Sequence, residues 1–79
     1  MHENIGSTAG KVWDVLGQRG RLTLGHLPRF IDGNKEVAYL ALGWLAREGK
    51  VKFEKKGDVQ IISLTEGERE NHKKNNNKE

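Results

Sequence analysis

Four lysines, Lys50, Lys52, Lys55 and Lys56, fall within seven positions beside a glycine at position 57. Ammonium groups on a short hairpin can lie along nucleic-acid phosphates, where each phosphate neutralised releases counterions and adds salt-dependent affinity. Arg29 and Lys35, on either side of a turn, can add phosphate contacts from the ends of two helices. Contacts of that kind set position and carry no sequence information. These six residues are the candidate nucleic-acid contacts, and the binding they predict is weak, salt-sensitive and indifferent to sequence. The same lysines also suit an ordinary solvated hairpin whose charges protect an edge strand from pairing.

A second set of residues suits a different chemistry. The stretch Asn34–Val51 reads NKEVAYLALGWLAREGKV, and its middle is apolar almost all the way round. A helix facing one core needs an apolar stripe only about 100° wide. The excess here falls on Val37, Tyr39, Leu40, Gly43 and Trp44, the candidate dimer or partner interface. Leu40 and Trp44 are four residues apart and share a side of the helix. Gly43 permits close backbone approach. Tryptophan and tyrosine often dominate interface energies, and burying one Trp and one Leu contributes roughly 3–5 kcal/mol by area. The competing arrangement places Trp44 inside one domain, against the first helix or the hairpin.

Catalysis finds little to work with. There are no cysteines, so neither disulfides nor thiolate metal sites arise. His2, His26 and His72 lie far apart, without metal-ligand spacing. No serine sits in a glycine elbow, no phosphate-binding loop is present, and His26 reads as a surface residue with no partner carboxylate at fixed spacing. The expectation is a non-enzyme with no metal, no cofactor and no evident small-molecule ligand, since no separate pocket-forming segment stands out. No apolar run approaches the roughly 20 residues that cross a bilayer and no leader pattern is evident, so a cytoplasmic protein without membrane contact is expected.

The elements that must position these residues follow from periodicity. Ile5, Ala9, Val12, Trp13 and Leu16 mark one face of a first helix over Ile5–Leu16, with Ser7 or Thr8 as its cap and Gly17 or Gly20 as its stop. If Ser7 caps, Ile5 packs over the first turn from outside. Arg21-Leu22-Thr23 is an extended link, and Thr23 can cap a second helix over about Leu24–Phe30. Leu24, Leu27 and Ile31 are its buried side, and Pro28 makes it short, kinked or partly 3₁₀. Asp32-Gly33-Asn34 is a turn, with Asn34 capping a third helix from about Lys35 to Glu48 that Gly49 ends. Val51–Lys55 and Val59–Leu64 then form a hairpin around Lys56-Gly57-Asp58. Val51 and Phe53 face inward, and Ile61 and Ile62 bury on opposite sides.

Thr65-x-x-Glu68 can cap one further helical turn. From Asn71 the composition offers nothing apolar to bury, which predicts disorder. One domain over residues 1–66 and a polar tail over 67–79 follow. The chain of 79 residues carries a formal +3. Residues 65–79 are neutral, so the excess sits in residues 1–64, where ten Lys/Arg face seven Asp/Glu. That bias permits an anionic partner without demanding one.

Helix, link, helix, turn, helix and hairpin is the order of a winged helix-turn-helix, α+β but mainly α: three helices plus a two-stranded antiparallel wing. With Leu42-x-x-Leu45-x-x-x-Gly49-x-Val51, the entry Arg21-Leu22-Thr23-Leu24 and the run Ala41-Leu42-Gly43-Trp44-Leu45-Ala46, residues 5–65 resemble a family of small stand-alone prokaryotic winged-helix proteins of uncharacterised function. The resemblance implies a homodimer. Pro28 departs from the usual second helix. In DNA-binding relatives of this fold the third helix enters the major groove, and base reading needs Arg, Lys, Asn or Gln on its outer side. The frame puts Tyr39, Leu40, Gly43 and Trp44 there, with Glu36 and Arg47 at the ends. By fold analogy the expected function is nucleic-acid binding in transcription, through the basic wing of a homodimer. The alternative is a protein-interaction module that uses the apolar face of the third helix and binds no specific DNA.

Overall fold

The computed structural model describes residues 5–31 and 34–76. In order these form α1 (Ile5–Arg19), β1 (Arg21–Thr23), a 3₁₀ helix (Leu24–Phe30), α2 (Lys35–Arg47), β2 (Val51–Lys56), β3 (Val59–Leu64) and α3 (Glu66–Asn76). His2 and the Asp32-Gly33 turn lie outside the described residues.

Local chemistry explains most boundaries. α1 begins at Ile5, so Ser7 and Thr8 sit inside its first turns instead of capping it, and the Ile5 side chain is exposed. Its stop is Gly20, at φ 84°, whose N–H donates to the Leu16 carbonyl; Gly17 stays within the helix. Asn34 caps α2, its Oδ1 accepting the Glu36 N–H at 2.8 Å. At the other end Gly49 takes φ 75°, and the N–H groups of Gly49 and Lys50 bond back to the carbonyls of Ala46 and Leu45. That paired pattern is a Schellman stop. Pro28 is accommodated by a 3₁₀ helix, as its missing donor and ring crowding suggest.

Two elements differ from expectation. Arg21–Thr23 is not a free link but an edge strand, and Thr23 stands at the start of the 3₁₀ helix without a side-chain capping bond. The sheet therefore has three antiparallel strands in the order β1-β3-β2. Leu22 lies opposite Ile62, which in turn faces Phe53. The tail also departs from the disorder expected from Asn71: α3 continues to Asn76, and His72 is buried against α1. Its anchors are polar, and a composition argument that counts apolar side chains misses them.

Thirteen apolar residues make one core, joining Ala9, Val12 and Leu16 of α1 to Leu27, Ile31, four residues of α2, and Leu22, Val51, Ile62 and Leu64 of the sheet. Each fully buried aliphatic side chain contributes about 1.5–3 kcal/mol. The core fixes the orientation of α2 and the sheet, and so decides which of their residues remain outside. Phe53 points to the core side of β2 yet lies beyond its edge, 47% exposed, whereas the hairpin pattern had placed it inside. Ile62 is fully buried and Ile61 half-buried on the opposite face.

Candidate functional site

α2 turns Ala38, Ala41, Leu42 and Leu45 to the core. The helical period then forces Tyr39, Leu40, Gly43 and Trp44 outward, and Val37 to a half-buried position at the margin. Leu40 is 58% exposed and Trp44 44%, so the tryptophan is not enclosed within one copy of the domain. A Cβ at Gly43 would meet nothing within 4 Å, so no neighbour among the described residues requires the glycine.

The sheet divides the wing lysines. Strand alternation puts Lys52 and Lys56 on the outer face, together with Arg21, Glu54, Ile61 and Val59. Arg21 and Glu54 form an exposed ion pair at 3.9 Å across β3. Arg69 of α3 joins Arg21 and Lys52 around a shallow hollow on this face. Lys55 is exposed on the other side of the hairpin, and Lys50 belongs to neither face, because it precedes β2 and borders a groove beside Trp13 and Trp44. Arg29 closes the 3₁₀ helix and Lys35 opens α2, both exposed. Four lysines that look contiguous in sequence are thus three separate placements. Arg21 and Arg69, which sequence reasoning did not select, complete the basic face; only pairing of β1 with β3 and docking of α3 bring them there.

The groove beside Lys50 has a volume of about 500 Å³. Gly6, Ala9, Gly10 and Trp13 of α1 line one wall at helical spacing, Trp44 and Leu45 of α2 a second, and Glu68, Asn71 and Lys74 of α3 a third. α3 has no aliphatic side chain and no Phe, Tyr or Trp, only EGERENHKKNN. It is held by polar keys. The Trp13 indole Nε1–H donates to Glu68 Oε1 at 2.7 Å. Nε2 of His72 donates to Asp14 Oδ1 at 2.8 Å, and the bond is also an ion pair when the imidazole is protonated. The His72 ring packs on Trp13, with centroids 5.0 Å apart and a 60° tilt. At the start of the helix, the Thr65 N–H donates to the Lys50 carbonyl at 3.1 Å.

A family model described as a winged helix-turn-helix domain, DUF2582, matches residues 1–64. The chain belongs to this family. The uncharacterized protein MJ1608 of Methanocaldococcus jannaschii is 34% identical to it over 67 residues, an alignment that covers 81% of the chain and 94% of the relative. No solved structure matches the chain significantly.

In a winged helix-turn-helix, α2 is the helix that DNA-binding examples insert into the major groove. In this family member its centre offers Tyr39, Leu40, Gly43 and Trp44, none able to grip a base edge bidentately. α3 begins beyond the residues that the family model matches. None of the described helices is long and apolar enough to cross a membrane.

Proposed function

We propose that the domain is a homodimeric winged-helix module in which the outer side of α2 is a protein contact, not a base-reading surface. The observation that carries this reading is the exposure of Leu40 and Trp44 one turn apart, beside Tyr39 and Gly43. An exposed aromatic-aliphatic pair on a rigid helix has the composition of an interface centre. A second copy supplies the same surface in return, as an isologous contact requires, and extra burial helps a chain whose own core is small. The test is the mass of the particle by sedimentation at micromolar concentration. Twice the 8.9 kDa of one chain is expected, with Leu40→Glu and Trp44→Ala each giving a folded monomer. A wild-type monomer, or two folded variants of unchanged dimeric mass, would refute it.

A second reading rests on the outer face of the sheet, where Arg21, Lys52 and Lys56 are exposed together with Arg69 beside them. This face suits phosphate contact, which gives nucleic-acid binding of a sequence-tolerant, salt-sensitive kind. It is compatible with a covered α2, because the two surfaces do not overlap. The fold makes a transcription-associated, cytoplasmic role its natural setting by analogy. A mobility shift with duplex DNA at about 50 mM salt, lost as salt is raised, is the expected result. No shift at low salt would remove this reading and leave the first intact.

A further inference from the structure

We propose that the groove between α1, α2 and α3 is a binding site for a small aromatic anion. Its volume of about 500 Å³ lies within the roughly 300–1,000 Å³ typical of small-molecule sites. Two indoles, Trp13 and Trp44, line its walls and offer flat apolar faces on which an aromatic ring stacks. The α1 wall is bare, because Gly10 carries no side chain and a Cβ there would meet nothing within 4 Å. A glycine inside a helix lowers its stability relative to alanine, and here it keeps open space beside an indole.

The charge of the rim decides the sign of the ligand. Lys50 and Lys74 both border the groove, and neither has a carboxylate within ion-pair distance among the described residues. Among the described residues Glu68 is the one acid on the rim, and its Oε1 already accepts from Trp13. Lys50 is rooted firmly: its N–H bonds to Leu45 and its carbonyl accepts from Thr65. Two unpaired ammonium groups beside two indoles complement a planar ring bearing a carboxylate or sulfonate. Lys74 comes from α3, so the site is complete only while α3 is docked. A ligand that bridges Lys50 and Lys74 therefore stabilises the docked helix by mass action.

The chain has two tryptophans, and both line the groove, so the two indole N–H resonances report on it. The full chain is titrated with 1-naphthoate, with the neutral 1-naphthalenemethanol and with the non-aromatic cyclohexanecarboxylate. Both indole signals should shift saturably with naphthoate, and the other two probes should bind at least about tenfold more weakly, the loss expected when one charged hydrogen bond or the stacking is removed. Lys74→Ala should weaken naphthoate binding about tenfold on the same argument. Gly10→Leu, which fills open space on an exposed helix face, should abolish it while leaving the rest of the spectrum folded. Trp44 also belongs to the proposed α2 contact, so the titration is repeated on Leu40→Glu, a change outside the groove, and naphthoate should bind that variant at least as tightly as it binds the wild type. No shift up to about 10 mM naphthoate, well above the millimolar range of weak sites, would overturn the proposal. Equal binding of the neutral alcohol, or full binding to folded Gly10→Leu, would do the same.

Discussion

The imidazole of His72 occupies the space in which a side chain at Gly17 would stand. A glycine in the fourth turn of a fifteen-residue helix is otherwise unfavourable, and this contact explains it. The helix interior is notched at Gly17, the ring fills the notch at 4% exposure, and Asp14 one turn earlier receives its N–H. Two elements far apart in sequence are joined by a shape key and a hydrogen bond, with no aliphatic contact from α3.

Gly17→Ala should therefore behave against propensity. In an exposed helix interior this change gains about 1 kcal/mol, but here it expels His72. The expected outcome is loss of amide-exchange protection in α3, with protection in β2 and β3 unchanged because α3 adds nothing to the apolar core. Retained protection in α3 would mean that the imidazole is not what holds it.

The Asp14–His72 bond can be isolated from that packing by a double-mutant cycle. Asp14→Ala and His72→Ala should each destabilise α3, and their combined effect should fall short of the sum. The coupling should be about 1 kcal/mol, the value for one hydrogen bond with a half-exposed carboxylate partner. The opening equilibrium of α3, read by amide exchange, gives each corner of the cycle. Strict additivity would show that the two groups do not interact in solution.

Leu27 and Phe53 test where the core ends. Leu27 is fully buried in the 3₁₀ helix, and Leu27→Ala should cost about 2–5 kcal/mol in urea unfolding. Phe53 has the strand position of a core residue but stands half in solvent, so Phe53→Ala should cost no more than about 1 kcal/mol, mostly its cross-strand contact with Ile62. Similar losses for both would place Phe53 in the core.

The contrast between these residues shows what the sequence carries. The Asn34 cap, the Gly49 stop and the disturbed helix around Pro28 are legible because each is decided within a few residues of itself. The outer set on α2 is legible because a helical period with four inward positions leaves no other place for Leu40 and Trp44. β1 is hidden because three residues show no period and its partner strand begins nearly forty positions later. α3 and the groove it walls are hidden for a different reason. Glu68 and His72 are four apart on one helix face, and their partners are an indole, a carboxylate and a missing side chain on α1. Reading that match requires knowing that the two helices meet. Without α3 the groove has two walls, and Lys50 looks like one more wing lysine.

The split of the lysines has a measurable consequence for any nucleic-acid contact. If phosphates lie along the outer sheet face, Lys52→Ala and Lys56→Ala should each lower the salt dependence of binding by about one counterion. Lys55→Ala, on the opposite face, should leave the slope unchanged although it is the next residue in the chain. Salt titrations of duplex binding by the three variants give the comparison. Equal effects at all three positions would mean that the wing tip, not one face, meets the phosphates.

Gly57 links the shape of the wing to its stability. The register Lys56↔Val59 leaves a two-residue turn, and Gly57 adopts φ 60° at its first position. A positive φ there matches the twist of the flanking strands, and for a residue with a Cβ it costs about 1–2 kcal/mol. Gly57→Ala should therefore lower the melting temperature, by roughly 4–8 °C for each kcal/mol in a domain of this size. Gly57→Asn should recover part of the loss, because asparagine tolerates the left-handed region better than alanine. The order Gly, Asn, Ala in melting temperature is the signature of a backbone requirement. A loss equal for Asn and Ala would instead point to a side-chain clash, which the open space around Gly57 does not suggest.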